Sequence, residues 1–278
     1  MKTAMLMALM TMLLMAIGDY FGGLQGMTIM LVFGVVMNFF TYWNSDKMVL
    51  AHYRAEEVNA RTAPRLYAIV KRLADRAKLP MPKVYVIDSP VPNAFATGRN
   101  PEHAAVAVNT ALADLLDEDE LAGVLAHELS HVKHRDILIS TVAASMAGAI
   151  STIAQWGMFL GGGRDENGES RNPIATILVM ILAPLAAALI QMAVSRSREY
   201  MADKSGGELC GNPNALADAL LKIEAFARRR VMPGATEATA HMFIINPFSG
   251  VNMRQLFSTH PPTEERVRLL REQARAMR

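Results

Sequence analysis

The sequence predicts a mainly α integral membrane protein, with four transmembrane helices and a soluble α+β domain built on a small antiparallel sheet. Three observations carry that expectation. Half of the 278 residues are hydrophobic and only 19% are charged, a balance shifted away from that of ordinary soluble domains. The apolar weight falls in a few uninterrupted runs, as bilayer spans require. Between and after those runs, short alternating β-branched stretches are interleaved with helical periodicity.

The first apolar run, Thr3 to Gly18, is followed almost at once by a second, Met27 to Trp43. A Gly-rich bend, Phe21 to Gly26, joins them, so residues 1–45 read as a transmembrane helical hairpin rather than a cleaved leader and one span. From Ser45 the composition turns polar. Pro64 opens a helix over Arg65 to Lys78, with Leu66, Ile69, Val70 and Leu73 on one face. Lys83 to Asp88, Asn93 to Gly98 and Ala104 to Asn109 read as three strands of a meander. Asp117-Glu118-Asp119-Glu120 then puts negative charge where a helix N-terminus favours it, starting a helix from about Asp119 to Arg135.

Residues 46–136 thus form the first part of the soluble domain. A second hairpin occupies 137–195, its apolar runs Ile137 to Leu160 and Pro173 to Val194 separated by the polar loop Gly161 to Asn172. Residues 196–278 return to the soluble domain, with helices over Ser195 to Lys204, Asn214 to Arg230 and Thr263 to Arg275. Lys2, Lys47, Arg54, Lys133, Arg135, Arg196 and Arg198 all flank the spans on one side. By the positive-inside rule, both termini and the Asp119–Arg135 helix face the cytoplasm. The net charge of +2 makes no case for a nucleic-acid partner. The single cysteine, Cys210, excludes an internal disulfide and suits a reducing compartment.

The chemistry concentrates in His127-Glu128-Leu129-Ser130-His131. Residues four apart lie above one another on a helix, so His127 and His131 aim two imidazoles at one metal ion. Glu128 falls beside that ion, placed to take a proton from water as general base. A hydrolytic zinc ion takes three protein ligands, and Glu199 is the expected third: it lies on a helix that returns from a span to the same side. Asp203, one turn on, shares its face and accepts a hydrogen bond from a ligand imidazole. The competing view makes Glu199 and Asp203 surface charges paired with Arg198 and Lys204. His260, in the stiff turn Ser258-Thr259-His260-Pro261-Pro262, is either an oxyanion-stabilising catalytic group or a loop histidine packed on the last helix. Asn93, Ala94, Phe95 and Ala96 form either a substrate-pairing edge strand or an interior one. His134 is read as an interfacial histidine between Lys133 and Arg135 rather than a substitute ligand. Gly161-Gly162-Gly163 is no phosphate loop, because no strand precedes it and no Gly-Lys-Ser/Thr follows.

Four segments together resemble the HtpX membrane zinc metalloproteases of bacteria, relatives of the CAAX prenyl endopeptidases: His127 to His131, Ser197-Arg198-Glu199-Tyr200-Met201-Ala202-Asp203, Asn93 to Gly98, and Ser258 to Pro262. The resemblance covers nearly the whole chain. It implies a zincin-like (gluzincin) protease domain and one Zn2+ per chain, with His127, His131 and Glu199 as ligands and Glu128 catalytic. It also implies a multi-pass protein of the inner membrane, acting from the cytoplasmic face on misfolded or damaged membrane proteins. Substrate-side roles for Asn93 and His260 gain support from it. Two other activities compete: processing of prenylated peptides, and a non-catalytic scaffold or holdase. Nothing in the sequence specifies an oligomeric state.

Overall fold

The computed structural model describes residues 2–142, 196–229 and 261–277. Most of the expected second hairpin, with its Gly-rich loop, and His260 lie outside the described residues.

The chain begins with a long helical element, α1 (Lys2–His52), whose helical backbone breaks at Gly22 (φ −145°, ψ 16°) and Gly23 (φ 56°, ψ −148°). Gly23 takes the left-handed φ that glycine alone tolerates readily. The two arms fold back on each other. A Cβ on Gly18 would lie 2.4 Å from the Gly26 carbonyl oxygen, and Asn38 Nδ2 donates to the Met7 carbonyl (3.1 Å) and Thr11 Oγ1 (2.8 Å) of the first arm. This is the helical hairpin expected from the two apolar runs and their glycine bend. Among the described residues, one helix, Gly22–His52, is long and apolar enough to cross a membrane, and Thr3–Ala16 is a shorter apolar helix. The second arm exposes Ile29, Val32, Phe33, Val35, Val36, Phe39 and Phe40. It also runs nine residues past Trp43 as helix, where polar composition alone would have ended it.

A four-stranded sheet follows, ordered β1-β2-β4-β3: β1 (Glu56–Val58), β2 (Lys83–Ile87), β3 (Ala94–Gly98) and β4 (Ala104–Asn109). The expected antiparallel meander is corrected here. The sheet is mixed: β2 pairs with β4 in parallel, with β1 and β3 antiparallel on the two edges. The reason lies in β4. Its sequence AAVAVN is buried along its whole length, its residues alternating between the cores on the two faces, as suits a strand inside the sheet. The crossing that admits β3 on the far side is pinned where Asn109 Nδ2 donates to the Val91 carbonyl (2.7 Å) and Asn109 N–H to the Asn93 carbonyl (2.9 Å). Strand periodicity says which face is buried and nothing about strand order.

One face of the sheet carries the main core. Leu66, Ile69, Val70 and Leu73 of α2 (Pro64–Ala77) meet Val84, Val106 and Val108 of the sheet and Leu121, Val124, Leu125 and Leu129 of α4 (Glu118–Lys133), with the short α3 (Thr110–Leu115) contributing Leu112. Three helices remain, α5 (Arg196–Cys210), α6 (Pro213–Arg229) and α7 (Thr263–Ala276); α6 and α7 close the back of that core through Leu216, Leu220, Ile223 and Leu270, with Leu209 of α5 packed against it. The other face is covered by the end of α1, where Val49 and Leu50 pack on Ile87, Phe95, Ala105 and Ala107.

Candidate metal centre

α4 is capped at both ends in ways its sequence encodes. Asp117 accepts the Glu120 N–H (2.9 Å) while Glu120 Oε2 accepts the Asp117 N–H (3.0 Å), a reciprocal capping box. At the other end, Arg135 adopts φ 58° and the Asp136 N–H bonds back to the His131 carbonyl. That turn carries the Asp136 carboxylate to 3.2 Å from His131 Nδ1.

Helix α5 lies against α4 at Gly206, where a Cβ would sit 2.9 Å from both Cα and N of His127. This close approach brings Glu199, two turns earlier on the same face, onto the histidines. The Nε2 atoms of His127 and His131 are 3.2 Å apart. Glu199 Oε2 is 3.7 Å from the first and Oε1 is 3.7 Å from the second. All three ligand atoms fall within 4.8 Å of one another. A tetrahedral ion with bonds near 2.0–2.1 Å holds its ligands ~3.3–3.4 Å apart, so the donor set fits a small divalent metal. Two imidazole nitrogens 3.2 Å apart can share a proton when no metal is bound, and can both turn lone pairs to an ion placed between them. Glu199 is 7% exposed, so the view of it as a surface charge does not hold in this fold.

Each histidine has its own carboxylate on the far ring nitrogen. Asp203 Oδ1 stands 2.9 Å from His127 Nδ1; the distance is that of a hydrogen bond although the N–H lies off the line. Asp136 serves His131, and Arg198 Nε stands 3.7 Å from that carboxylate. Such carboxylates fix the tautomer that leaves Nε2 free for metal. Burial alone would depress His131, but the Asp136 hydrogen bond and the charges of Glu199, Asp136 and Glu128 raise it to about 9. Burial alone would raise Asp203, but the charge and hydrogen bonds of Arg266, with His127 behind them, hold it down at about 2.

Glu128 is 7% exposed. Burial raises its pKa, against the pull of His127 and His131. Its Oε2 accepts the Ala96 N–H of β3 at 2.9 Å, so the expected general base touches the expected substrate strand. β3 is an edge strand. Of its outward donors, Ala96 N–H goes to Glu128 and Gly98 N–H to Thr141 Oγ1 (3.3 Å). Asn93 is buried, its carbonyl turned inward to Asn109, and Phe95 packs beneath on Tyr53 of the α1 end. His134 stands apart from the cluster, with Nε2 3.3 Å from Ser205 Oγ.

Sequence reasoning missed Asp136 and Arg266. Asp136 carried a weak signal, an acid just beyond the end of the metal helix. Arg266 carried a stronger one: it interrupts the apolar stripe of Leu270 and Ala274 on α7, and a charge on a buried stripe needs a buried partner.

A family model described as peptidase family M48 matches residues 60–274. A protein named protease HtpX homolog from Burkholderia thailandensis is 59% identical over all of this chain and 98% of its own length. The protein of the same name from Burkholderia mallei is 58% identical over the same shares. The crystal structure of Ste24p from S. mikatae superposes with a TM-score of 0.53 at 19% identity, over 96% of this chain and 65% of that one; it shares the fold.

Proposed function

The chain belongs to peptidase family M48 and is a metalloendopeptidase; from that premise we propose that its metal is zinc, and that it cuts misfolded or damaged membrane proteins at the cytoplasmic face of the inner membrane. One observation carries the reading: two imidazoles and a distant carboxylate converge within 4.8 Å, with a buried glutamate beside them.

His127, His131 and Glu199 would hold the ion, which when bound would polarise a peptide carbonyl and make water acidic enough to attack near neutral pH. Glu128 takes the proton from that water and returns it to the departing amine. A substrate strand pairing along Asn93, Ala94, Phe95 and Ala96 competes for the Ala96 N–H that Glu128 now occupies. Its arrival therefore frees the carboxylate for proton transfer. Backbone pairing at an edge reads no side chains, which suits a protease acting on many unfolded polypeptide substrates. His260 is assigned to oxyanion stabilisation from its place in the stiff turn Ser258 to Pro262 and from the resemblance. The exposed apolar second arm of α1 supports a bilayer location, with two further spans in 137–195 completing a multi-pass chain.

The test is metal analysis of the detergent-purified chain beside proteolysis of an unfolded membrane protein. We expect about one zinc per chain, cleavage abolished by chelator, and Glu128→Ala folded and metal-loaded but slower by a factor of about 10²–10⁴ or more. Full activity of Glu128→Ala in cells points instead to a scaffold. Exclusive cleavage of prenylated peptides points to the processing enzyme.

A further inference from the structure

Among the described residues, Arg266 is the one lysine or arginine that is buried, with 1% of its surface exposed. A guanidinium out of water survives only when paired and hydrogen-bonded. Its partner is Asp203: Nε donates to Oδ2 at 2.7 Å and Nη2 to Oδ1 at 2.7 Å. The fork fixes the plane of the carboxylate as well as its position, which a lysine cannot do. The oxygen Oδ1 bonded by Nη2 is the same one that faces His127 Nδ1. The site also needs the charge. Glu128, Glu199, Asp203 and Asp136 are all buried there; Arg198 lies beside Asp136, and the other three carboxylates against one divalent ion leave an excess charge that the Arg266 guanidinium offsets.

We propose that Arg266 is a positioning residue of the metal centre: acting through Asp203, it holds the His127 imidazole with Nε2 turned to the ion, so that the last helix of the chain sets metal affinity. This rests on the zinc-protease reading above and adds a residue to it. α7 does not depend on Arg266 to dock. Gln273 Nε2 donates to the Lys204 carbonyl on α5 (2.8 Å), Arg271 pairs with Asn214 and Asp218 on α6, and Leu270 and Ala274 are buried. Loss of the guanidinium should therefore leave the helix in place and the carboxylate loose.

The experiment compares Arg266→Met, Arg266→Lys, Asp203→Asn and the double variant Arg266→Met/Asp203→Asn in the full-length detergent-purified chain. Zinc affinity is read by competition with a chromophoric chelator, ligand geometry by the visible spectrum of the cobalt(II) form, and fold by circular dichroism. We expect Arg266→Met to weaken zinc roughly 10–100-fold, the range seen when groups orienting a ligand are lost, and to broaden the cobalt bands. Arg266→Lys should recover part of the loss. The double variant should lose no more than Asp203→Asn alone, because the two residues act in series. Should Arg266→Met misfold with Asp203 left unpaired, a double variant that folds and binds zinc as Asp203→Asn does supports the proposal equally.

Three outcomes overturn it: a folded Arg266→Met with wild-type zinc affinity and spectrum, losses that multiply in the double variant, or a double variant that still does not fold, which makes Arg266 a packing element. A wild-type chain that binds no zinc would instead remove the reading underneath.

Discussion

At the scale of single residues, the site is a set of ionisable groups forced together and kept dry. Glu128 shows the cost. Its folded-state pKa lies above the ordinary 4.5 because of burial. Any stability from a carboxylic acid so placed is present below that ordinary value and lost as pH rises through the folded one, so at neutral pH the burial of this group opposes folding. We expect Glu128→Gln to raise the stability of the metal-free protein at pH 7.5 by about 0.5–2 kcal/mol while abolishing cleavage; denaturant midpoints of both proteins check this, and an unchanged or lower midpoint counts against it. His131 makes a second prediction. It titrates near 9 without metal and must be neutral to bind it. Loading at pH 7.5 should release close to one proton, a yield that fades above about pH 9, as pH-indicator titration in weak buffer would show. The pairs His127/His131 and Glu199/Asp203 were legible from spacing, since a helix converts intervals of four into shared faces; that Glu199 meets the histidines was expected from the topology and the resemblance. Asp136 and Arg266 were not, because their partners are set by a helix-ending turn and by the docking of a distant helix.

At the scale of elements, legibility followed the strength of the local signal. The helices over 64–77, 118–133 and 263–276 match their periodic patterns and start signals, Pro64 for the first and acidic residues for the other two, to within a residue or two. The glycine bend and its two apolar arms became the α1 hairpin. β1, three residues long, offered too little periodicity to read. Strand order escaped because a parallel β2–β4 pairing depends on a crossing connection rather than on side-chain alternation. What no local pattern announces is how close α4 and α5 come, and Gly206 decides that. A methyl there would meet the backbone of His127, which cannot give way as a side chain tip can. Gly206→Ala should cost about 1–3 kcal/mol in stability, and by tilting Glu199 off the histidines should weaken metal binding roughly 10–100-fold. Lys204→Ala, exposed on the same helix, serves as the control. Equal metal affinity in the two variants would show that helix spacing does not set the site.

At the scale of the molecule, the hairpin and the catalytic domain are joined without a hinge. α1 runs as one helix from its apolar second arm to His52, and its end covers a face of the sheet through Val49 and Leu50. Arg99, directly after β3, places its guanidinium 4.5 Å from the Trp43 ring centroid, a contact that ties the end of β3 to the end of the apolar stretch of α1. Trp43 lies where an aromatic residue marks a membrane boundary. The orientation of this one arm therefore dictates on which side of the bilayer the metal lies. Basic residues flank the sheet end of the arm, at Lys47 and Arg54, whereas Asp19 to Gly26 has no lysine or arginine. In a background with Cys210 replaced by alanine, Gln25→Cys should react with a membrane-impermeant maleimide on intact cells. Lys71→Cys, exposed on α2, should react only after permeabilisation. The reverse pattern would place the HExxH helix outside the cytoplasm, where cytoplasmic loops and misfolded membrane segments cannot reach it, and the substrate assignment would fall with the topology.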